Sequence, residues 1–186
     1  ILHMDVAGVI TEVGEGVTNF KMGDEVYGCA GGLQGEAGNI EGALADFMLA
    51  DSNLIALKPK SLSFSESAAL PLVTITAWEG LFDRAHIKKE DHVLIHGGTG
   101  GVGHIAVQLA RQHGARVATT VSSEDKAKVA RSLGAEDIIF YRDEKVYDYT
   151  QRLTKGKGFD AVFDTIGADN LDKSLEAAKV SGQVIS

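Results

Sequence analysis

Gly98, Gly100 and Gly103 are the residues whose spacing points most directly to chemistry. In His96-Gly97-Gly98-Thr99-Gly100-Gly101-Val102-Gly103 they fit the pattern G-x-G-x-x-G. In that pattern the first glycine permits a tight turn, the second lets backbone approach a pyrophosphate, and the third allows a helix to pack closely on a strand. An anion there would sit on the N-terminus of the helix the turn opens, where free N–H groups favour it, with Gly101 and Val102 also expected to bind. The chain holds 22 glycines in 186 residues, so the triplet alone could be a structural turn. Its context argues for a dinucleotide site. Val93-Leu94-Ile95 reads as a strand before it, and Val102, Ile105, Ala106, Leu109 and Ala110 follow at helical spacing. Gly114 then stops the helix, and Arg116 to Val121 reads as a second strand.

The end of that second strand bears on which dinucleotide is bound. An NAD site usually places an acid there to accept hydrogen bonds from the adenosine ribose. This chain has Thr119-Thr120-Val121-Ser122-Ser123, with Lys126 one helical turn onward. Ser122 and Ser123 can donate to a phosphate and Lys126 can supply a point charge, so the local chemistry favours NADP(H). Glu124 and Asp125 weigh against it, and the alternative is that Ser123 caps the next helix while Lys126 is solvated.

Strands and helices alternate from there. Helices are expected at 125–133, 143–153 and 170–179, and strands at 138–141 and 161–166 with a further one starting at 183. Such spacing implies parallel pairing through right-handed crossovers, and so an α/β, doubly wound parallel Rossmann sheet. Gly167 follows the strand ending Asp164-Thr165-Ile166, at the carboxyl edge where such sheets bind ligands. The first 58 residues lack helical periodicity and read as a β unit with strands at 6–13, 25–27 and 45–50 and its exit at Lys58-Pro59. Five glycines between Gly31 and Gly42 mark a loop, either a lid or an ordinary surface loop. The expected division is 1–60 and 61–186.

Composition is that of a globular protein, with 44% hydrophobic and 24% charged residues. A net charge of −8 argues against nucleic acid as a partner. No apolar stretch is long enough to span a membrane, and the single cysteine, Cys29, excludes an internal disulfide, so a cytoplasmic setting is expected. The first residues, Ile1-Leu2-His3, and the last, Gln183-Val184-Ile185-Ser186, both run into expected strands, so a fragment of a longer protein is expected. The histidines His86, His92, His96, His104 and His113 show no metal spacing and read as structural.

Several further stretches occur in a telling order. They are Asp5-Val6-Ala7-Gly8-Val9-Ile10, Val13-Gly14, Phe20-Lys21-Met22-Gly23-Asp24-Glu25-Val26-Tyr27-Gly28, Ala68-Ala69-Leu70-Pro71 and Thr76-Ala77-Trp78, all before the glycine turn. Together they resemble the medium-chain dehydrogenase/reductase superfamily, and within it the quinone oxidoreductases and alkenal reductases. The resemblance implies that the β unit is part of a GroES-like domain. It implies that Lys126 and Tyr141 contact the 2′-phosphate of NADPH, and that Thr76 packs near the nicotinamide. Zinc-dependent relatives carry a histidine and a cysteine where this chain has Met4 and Leu72, so no metal site is expected. The implied reaction is hydride transfer from NADPH to a quinone or an α,β-unsaturated carbonyl, with no catalytic proton donor identified and a homodimer as the full-length assembly. The alternatives are a non-catalytic NADP-binding sensor or scaffold, and an alcohol dehydrogenase with a displaced metal.

Overall fold

The computed structural model describes residues 2–31 and 42–186. It divides into two compact units, residues 1–73 and 74–186, each built on its own sheet.

In the first unit β1 (Asp5–Val9), β2 (Glu25–Cys29) and β3 (Ile55–Leu57) form an antiparallel sheet in that order. The Ile10 N–H donates to the Asp24 carbonyl and the Gly23 N–H to the Ile10 carbonyl, which closes the β1–β2 ladder. β1 therefore stops short of the expected Val13. Residues 45–50, expected as a strand, are bends followed by irregular chain. Their alternating apolar pattern misleads because Phe47 and Leu49 are exposed rather than packed on a sheet face. The missed third strand follows a turn in which the Asp51 carboxylate accepts the Asn53 N–H at 2.8 Å. The expected loop from Gly31 to Gly42 lies almost wholly outside the described residues.

Lys58 ties the exit of this sheet. Its Nζ lies 3.1 Å from Glu25 Oε2, donates to the Leu62 carbonyl at 2.6 Å and sits 5.2 Å from the centroid of the Phe64 ring. Helix α1 (Phe64–Ala68) then opens with a capping box: Ser63 Oγ accepts the Glu66 N–H and the Glu66 carboxylate accepts the Ser63 N–H. Because α1 packs on β1 and β2, and Asp5 Oδ1 accepts the Leu72 N–H at 3.0 Å, the compact unit extends to Val73.

Helix α2 (Pro71–Trp78) begins in the first unit and ends in the second, where a π-helical turn (Glu79–Arg84) and then five parallel strands follow. They are β4 (His92–His96), β5 (Arg116–Val121), β6 (Asp137–Phe140), β7 (Phe159–Asp164) and β8 (Ala178–Ile185). Helices α3 (Gly101–His113), α4 (Glu124–Ser132), α5 (Val146–Thr154) and α6 (Leu171–Ala177) connect them. The order across the sheet is β6-β5-β4-β7-β8. The chain winds outward from β4 to β6, returns beside β4 and winds outward again, so the expected doubly wound topology is present. The strand order reverses between β4 and β7, and the crevice beyond their carboxyl ends is where ligands bind in such sheets.

Alternate residues serve the two faces. Val93 and Ile95 join Val117, Val121, Phe163 and the alanines Ala106, Ala110, Ala127 and Ala130 of α3 and α4 in one core. Leu94, Ala118, Ile139 and Val162 meet Val146, Tyr149 and Ala177 of α5 and α6 in the other. Small helix residues let α3 and α4 approach the sheet closely, and larger strand side chains fill the space.

The last elements shift from expectation for local reasons. β7 ends at Asp164 rather than Ile166, because the Asp164 carboxylate captures the next free N–H groups and turns the chain. α5 starts at Val146 rather than Asp143, because the N–H groups of Asp143 and Glu144 bond the Phe140 carbonyl in a turn. β8 begins directly after α6 and meets β7 through an irregular register near Phe159 and Ala161, so it precedes the expected start at Gln183.

Candidate functional site: a dinucleotide-shaped carboxyl edge

The glycine turn joins β4 to α3, and its glycines do different work. Gly97 has φ +69°, so the left-handed position falls there rather than at Gly98. Gly98 is needed for space: a Cβ on it would lie 2.1 Å from Thr119 Oγ1. Gly103 is confined by backbone, since its Cβ would lie 2.1 Å from the Gly97 carbonyl oxygen and 3.0 Å from Gly98 Cα. Gly100 has ordinary backbone angles, and its Cβ would meet only the Gly97 oxygen at 3.1 Å.

Side chains that sequence reasoning did not assign hold this turn. Thr119 Oγ1 is fully buried, donates to the Ile95 carbonyl at 2.6 Å and accepts the Gly98 N–H at 3.0 Å. Thr120 Oγ1 accepts the Gly97 N–H at 3.0 Å and lies 3.3 Å from His96 Nδ1. Their signal in the sequence was a pair of hydroxyls at the end of a strand that is otherwise core, beside a neighbouring glycine turn. The N–H groups of Gly97 and Gly98 are thus committed within the protein. The open end of α3 is what remains for an anion: Gly100 at its N-cap supplies no side chain to cap it, and Gly100 and Gly101 are exposed.

His96, at the last position of β4, is buried at 4% exposure, and its Nε2 has no hydrogen-bond partner among the described residues. Burial holds its pKa down to about 4 against an opposing pull from Asp164, with Lys173 adding to the depression. The ring is therefore neutral near pH 7.

Across the strand reversal, His96 pairs with Asp164 of β7. Thr165 Oγ1 donates to the His96 carbonyl at 2.7 Å. Gly167 has φ +72° and Ala168 φ +48°, so the turn after β7 takes positive φ at two successive residues.

The other expected binding residues lie on the opposite side of β4. Val121 pairs with Phe140, and the Tyr141 N–H reaches the Val121 carbonyl at 3.4 Å. This brings Ser122 and Ser123, at the tip of β5, beside Tyr141, at the tip of β6. Ser123 is the N-cap of α4 and its Oγ accepts the Lys126 N–H at 3.4 Å, so the capping alternative is part of the geometry. The two acids are drawn off: Glu124 pairs with Arg131 at 2.9 Å and Asp125 with Lys128 at 3.1 Å. Lys126 is exposed and makes no ion pair among the described residues. Arg142, which the sequence reading passed over, places its guanidinium 5.6 Å from the centroid of the half-exposed Tyr141 ring.

Thr76 lies exposed on α2. On the same element Thr74, Ile75 and Trp78 line, with Glu79, Asp83 and Arg84, a cavity of about 500 Å³. In the first unit His3, Met4, Asp5, Ala68 and Leu72 line one of about 430 Å³.

Comparison with known proteins gives this arrangement a family. Residues 1–60 match the alcohol dehydrogenase GroES-like domain and residues 101–186 match the family described as zinc-binding dehydrogenase. The chain is 39% identical to 2-methylene-furan-3-one reductase of Solanum lycopersicum over 97% of its own length and 45% of that protein's. An alcohol dehydrogenase superfamily protein of Novosphingobium aromaticivorans superposes with a TM-score of 0.90 at 45% identity, covering 97% of this chain and 53% of that one. The quinone oxidoreductase of Escherichia coli, solved with NADPH, superposes at 0.86 and 32% identity over all of this chain and 54% of the other. The chain spans about half the length of the curated relatives it matches. With a GroES-like part followed by a doubly wound dinucleotide fold, in the motif order of these relatives, the chain belongs to the medium-chain dehydrogenase/reductase superfamily.

Proposed function

We propose that this chain is the NADP(H)-binding portion of a zinc-independent reductase that transfers hydride to a quinone or to the β-carbon of an α,β-unsaturated carbonyl. The observation that carries the cofactor choice is the β5 tip: Ser122 and Ser123 stand where an NAD site usually has an acid, Glu124 and Asp125 pair with Arg131 and Lys128, and Lys126 makes no ion pair among the described residues. The glycine turn fits a dinucleotide because only glycine at 98 and 103 lets it close this tightly: a Cβ would lie 2.1 Å from Thr119 Oγ1 at the first and 2.1 Å from the Gly97 carbonyl oxygen at the second.

In this reading the N-terminal amides of α3, including Gly101, Val102 and Gly103, hold the pyrophosphate. Lys126, Tyr141, Ser122 and Ser123 hold the 2′-phosphate, Gly167 borders the crevice, and Thr76 packs near the nicotinamide. The bound dinucleotide supplies hydride from its nicotinamide ring. The protein's part is to orient ring and acceptor and to exclude water. A conjugated acceptor already spreads the charge that hydride addition creates, so it has less need of a Lewis acid than a simple ketone.

Zinc does not fit the residues present. Met4 and Leu72 offer a thioether and a hydrocarbon where zinc-dependent relatives carry ligands, the Asp5 carboxylate accepts the Leu72 N–H, and no three His, Cys, Asp or Glu side chains among the described residues are grouped to hold a metal. The E. coli relative was solved with NADPH, and the tomato relative is named as a reductase, which supports the same reading. We place the full-length protein in the cytoplasm as a homodimer acting on small molecules. No helix among the described residues is long and apolar enough to cross a membrane.

Titration with NADPH and with NADH, read by nicotinamide fluorescence, tests the cofactor assignment. Lys126→Ala should weaken NADPH about tenfold and leave NADH unchanged, the effect of losing one charge-assisted contact to phosphate. Equal affinity of the unmodified chain for both dinucleotides overturns the NADP choice. Turnover of quinones and enals by the full-length protein, insensitive to chelators, tests the reaction.

A further inference from the structure

The buried carboxylate at the end of β7 is not a contact for any ligand named above. We propose that Asp164 is a positioning residue for dinucleotide binding, holding the Thr165–Gly167 turn, and through it the glycine turn, in the shape the cofactor meets. The inference rests on the dinucleotide reading of the site but not on the choice of NADP over NAD.

Asp164 is 3% exposed and makes no ion pair among the described residues. Aspartate is seldom buried in that state. Four donors satisfy it instead: Oδ1 accepts the N–H groups of Ile166 at 2.9 Å and Gly167 at 3.0 Å, and Oδ2 accepts Asn170 Nδ2 at 3.1 Å and Ser174 Oγ at 2.8 Å. Burial alone would raise its pKa, but these donors outweigh it and hold the carboxyl below the ordinary range. Asp164 thus carries its charge where only oriented dipoles stabilise it.

What the carboxylate holds is strained and faces the crevice. The non-glycine Ala168 takes φ +48°, which persists only when the surroundings enforce it, directly after Gly167 at φ +72°. Thr165 Oγ1 bonds the His96 carbonyl, and a Cβ on Gly97 would lie 3.1 Å from Thr165 Oγ1 and 3.0 Å from Ile166 Cδ1. The two turns therefore touch at the point where the strand order reverses. Asn170 and Ser174 link the same carboxylate to the start of α6, so the turn is fixed at both ends. A site shaped before the ligand arrives avoids the ordering cost of shaping it on binding.

The test titrates the 186-residue chain with NADPH and NADH, comparing unmodified protein, Asp164→Asn and Thr165→Val. Each is measured at a temperature where circular dichroism shows it fully folded. Asp164→Asn should weaken both dinucleotides by roughly tenfold with their ratio unchanged, the scale of losing a buried charge-assisted network. Thr165→Val, which cuts only the link to His96, should weaken both by about threefold, in keeping with a single neutral hydrogen bond. If Asp164→Asn melts lower but binds both dinucleotides as the unmodified chain does, the carboxylate is merely structural and the proposal fails. Loss confined to NADPH overturns it as well, since the effect would then lie at the phosphate. Should Asp164→Asn not fold, Thr165→Val decides by the same criteria. An unmodified chain without NADPH preference removes the NADP reading alone, and one that binds neither dinucleotide overturns both.

Discussion

The glycine turn and the paired tips of β5 and β6 serve one proposed ligand, yet they are built in opposite ways. In the turn the groups that face the sheet are committed within the protein: Thr119 and Thr120 take up the N–H groups of Gly98 and Gly97, and the Gly97 carbonyl fills the space beside Gly103. At the strand tips Lys126, Tyr141 and Arg142 are exposed, and Lys126 makes no ion pair among the described residues. Features common to every dinucleotide are thus held by backbone that the fold over-determines. In the proposed site, the choice between dinucleotides falls to side chains the fold does not need. Substitution in the turn should therefore damage folding and binding together, whereas substitution at the tips should alter preference and little else.

The sharpest way to break that distinction is inside the fingerprint itself. Gly103→Ala would drive a methyl into the Gly97 carbonyl group, which is backbone and cannot rotate away. The expected cost is about 3 kcal/mol or more of stability, at the upper end for overpacked sites, with loss of dinucleotide binding. Gly100→Ala meets one atom at 3.1 Å with ordinary backbone angles, and should cost less than about 1 kcal/mol. Thermal melts of the two variants side by side check this. Equal melting temperatures would mean that the glycines of the motif are interchangeable and the contrast within it is unfounded.

The same contrast explains what was legible before the structure. The strand–turn–helix–strand setting of Gly98, Gly100 and Gly103 was readable because burial and periodicity leave strong traces, and Arg116–Val121 emerged with its expected bounds. Which glycine takes the positive φ was not readable, since Gly97 and Gly98 are adjacent and the decision is made by Thr119 from a neighbouring strand. Asp164 ends β7 earlier than its apolar continuation Thr165-Ile166 suggests, because a buried side-chain acceptor outcompetes the strand ladder for those N–H groups. In the first unit the short β3 and the irregular stretch 45–50 were confused because alternation identifies a strand only where a sheet face receives it. The pairing of Glu124 with Arg131 spans two helical turns and converts an apparent objection to NADP into a neutral surface feature.

A smaller effect is expected from acid, and it should fall on the buried side of the comparison. Folded His96 takes up its proton only near pH 4, while the unfolded chain does so near the ordinary histidine value. Between those values the unfolded state binds more protons, so stability is full above about pH 6.5 and declines as pH falls, by roughly 2 kcal/mol at pH 5. His92, lowered first by burial and then by Arg116, adds in the same direction despite Asp137 Oδ2 at 3.3 Å. Melting temperatures from pH 7 to pH 5 should fall in the unmodified chain and fall less in His96→Gln. An unchanged slope in the variant would show that His96 is not held neutral in the folded turn.

The smallest predicted effect tests whether the exposed side is as free of structural duty as Lys126 suggests, because the two serines at the β5 tip differ in that respect. Ser123 caps α4 through a long 3.4 Å bond at an exposed helix end, so Ser123→Ala should lower stability by about 0.5–1 kcal/mol. Its oxygen already accepts the Lys126 N–H, which leaves its proton to donate to a phosphate. Ser122, half-buried at the tip of β5, makes no side-chain hydrogen bond among the described residues, so Ser122→Ala should leave the melting temperature nearly unchanged. Both variants should weaken NADPH about threefold and leave NADH unaffected if the hydroxyls meet the 2′-phosphate, the scale of one neutral donor to a charged acceptor. If Ser123→Ala shifts only the melting temperature while Ser122→Ala shifts only the NADPH titration, capping and cofactor preference are divided between adjacent residues, and the boundary between the committed and the free parts of the site runs between them.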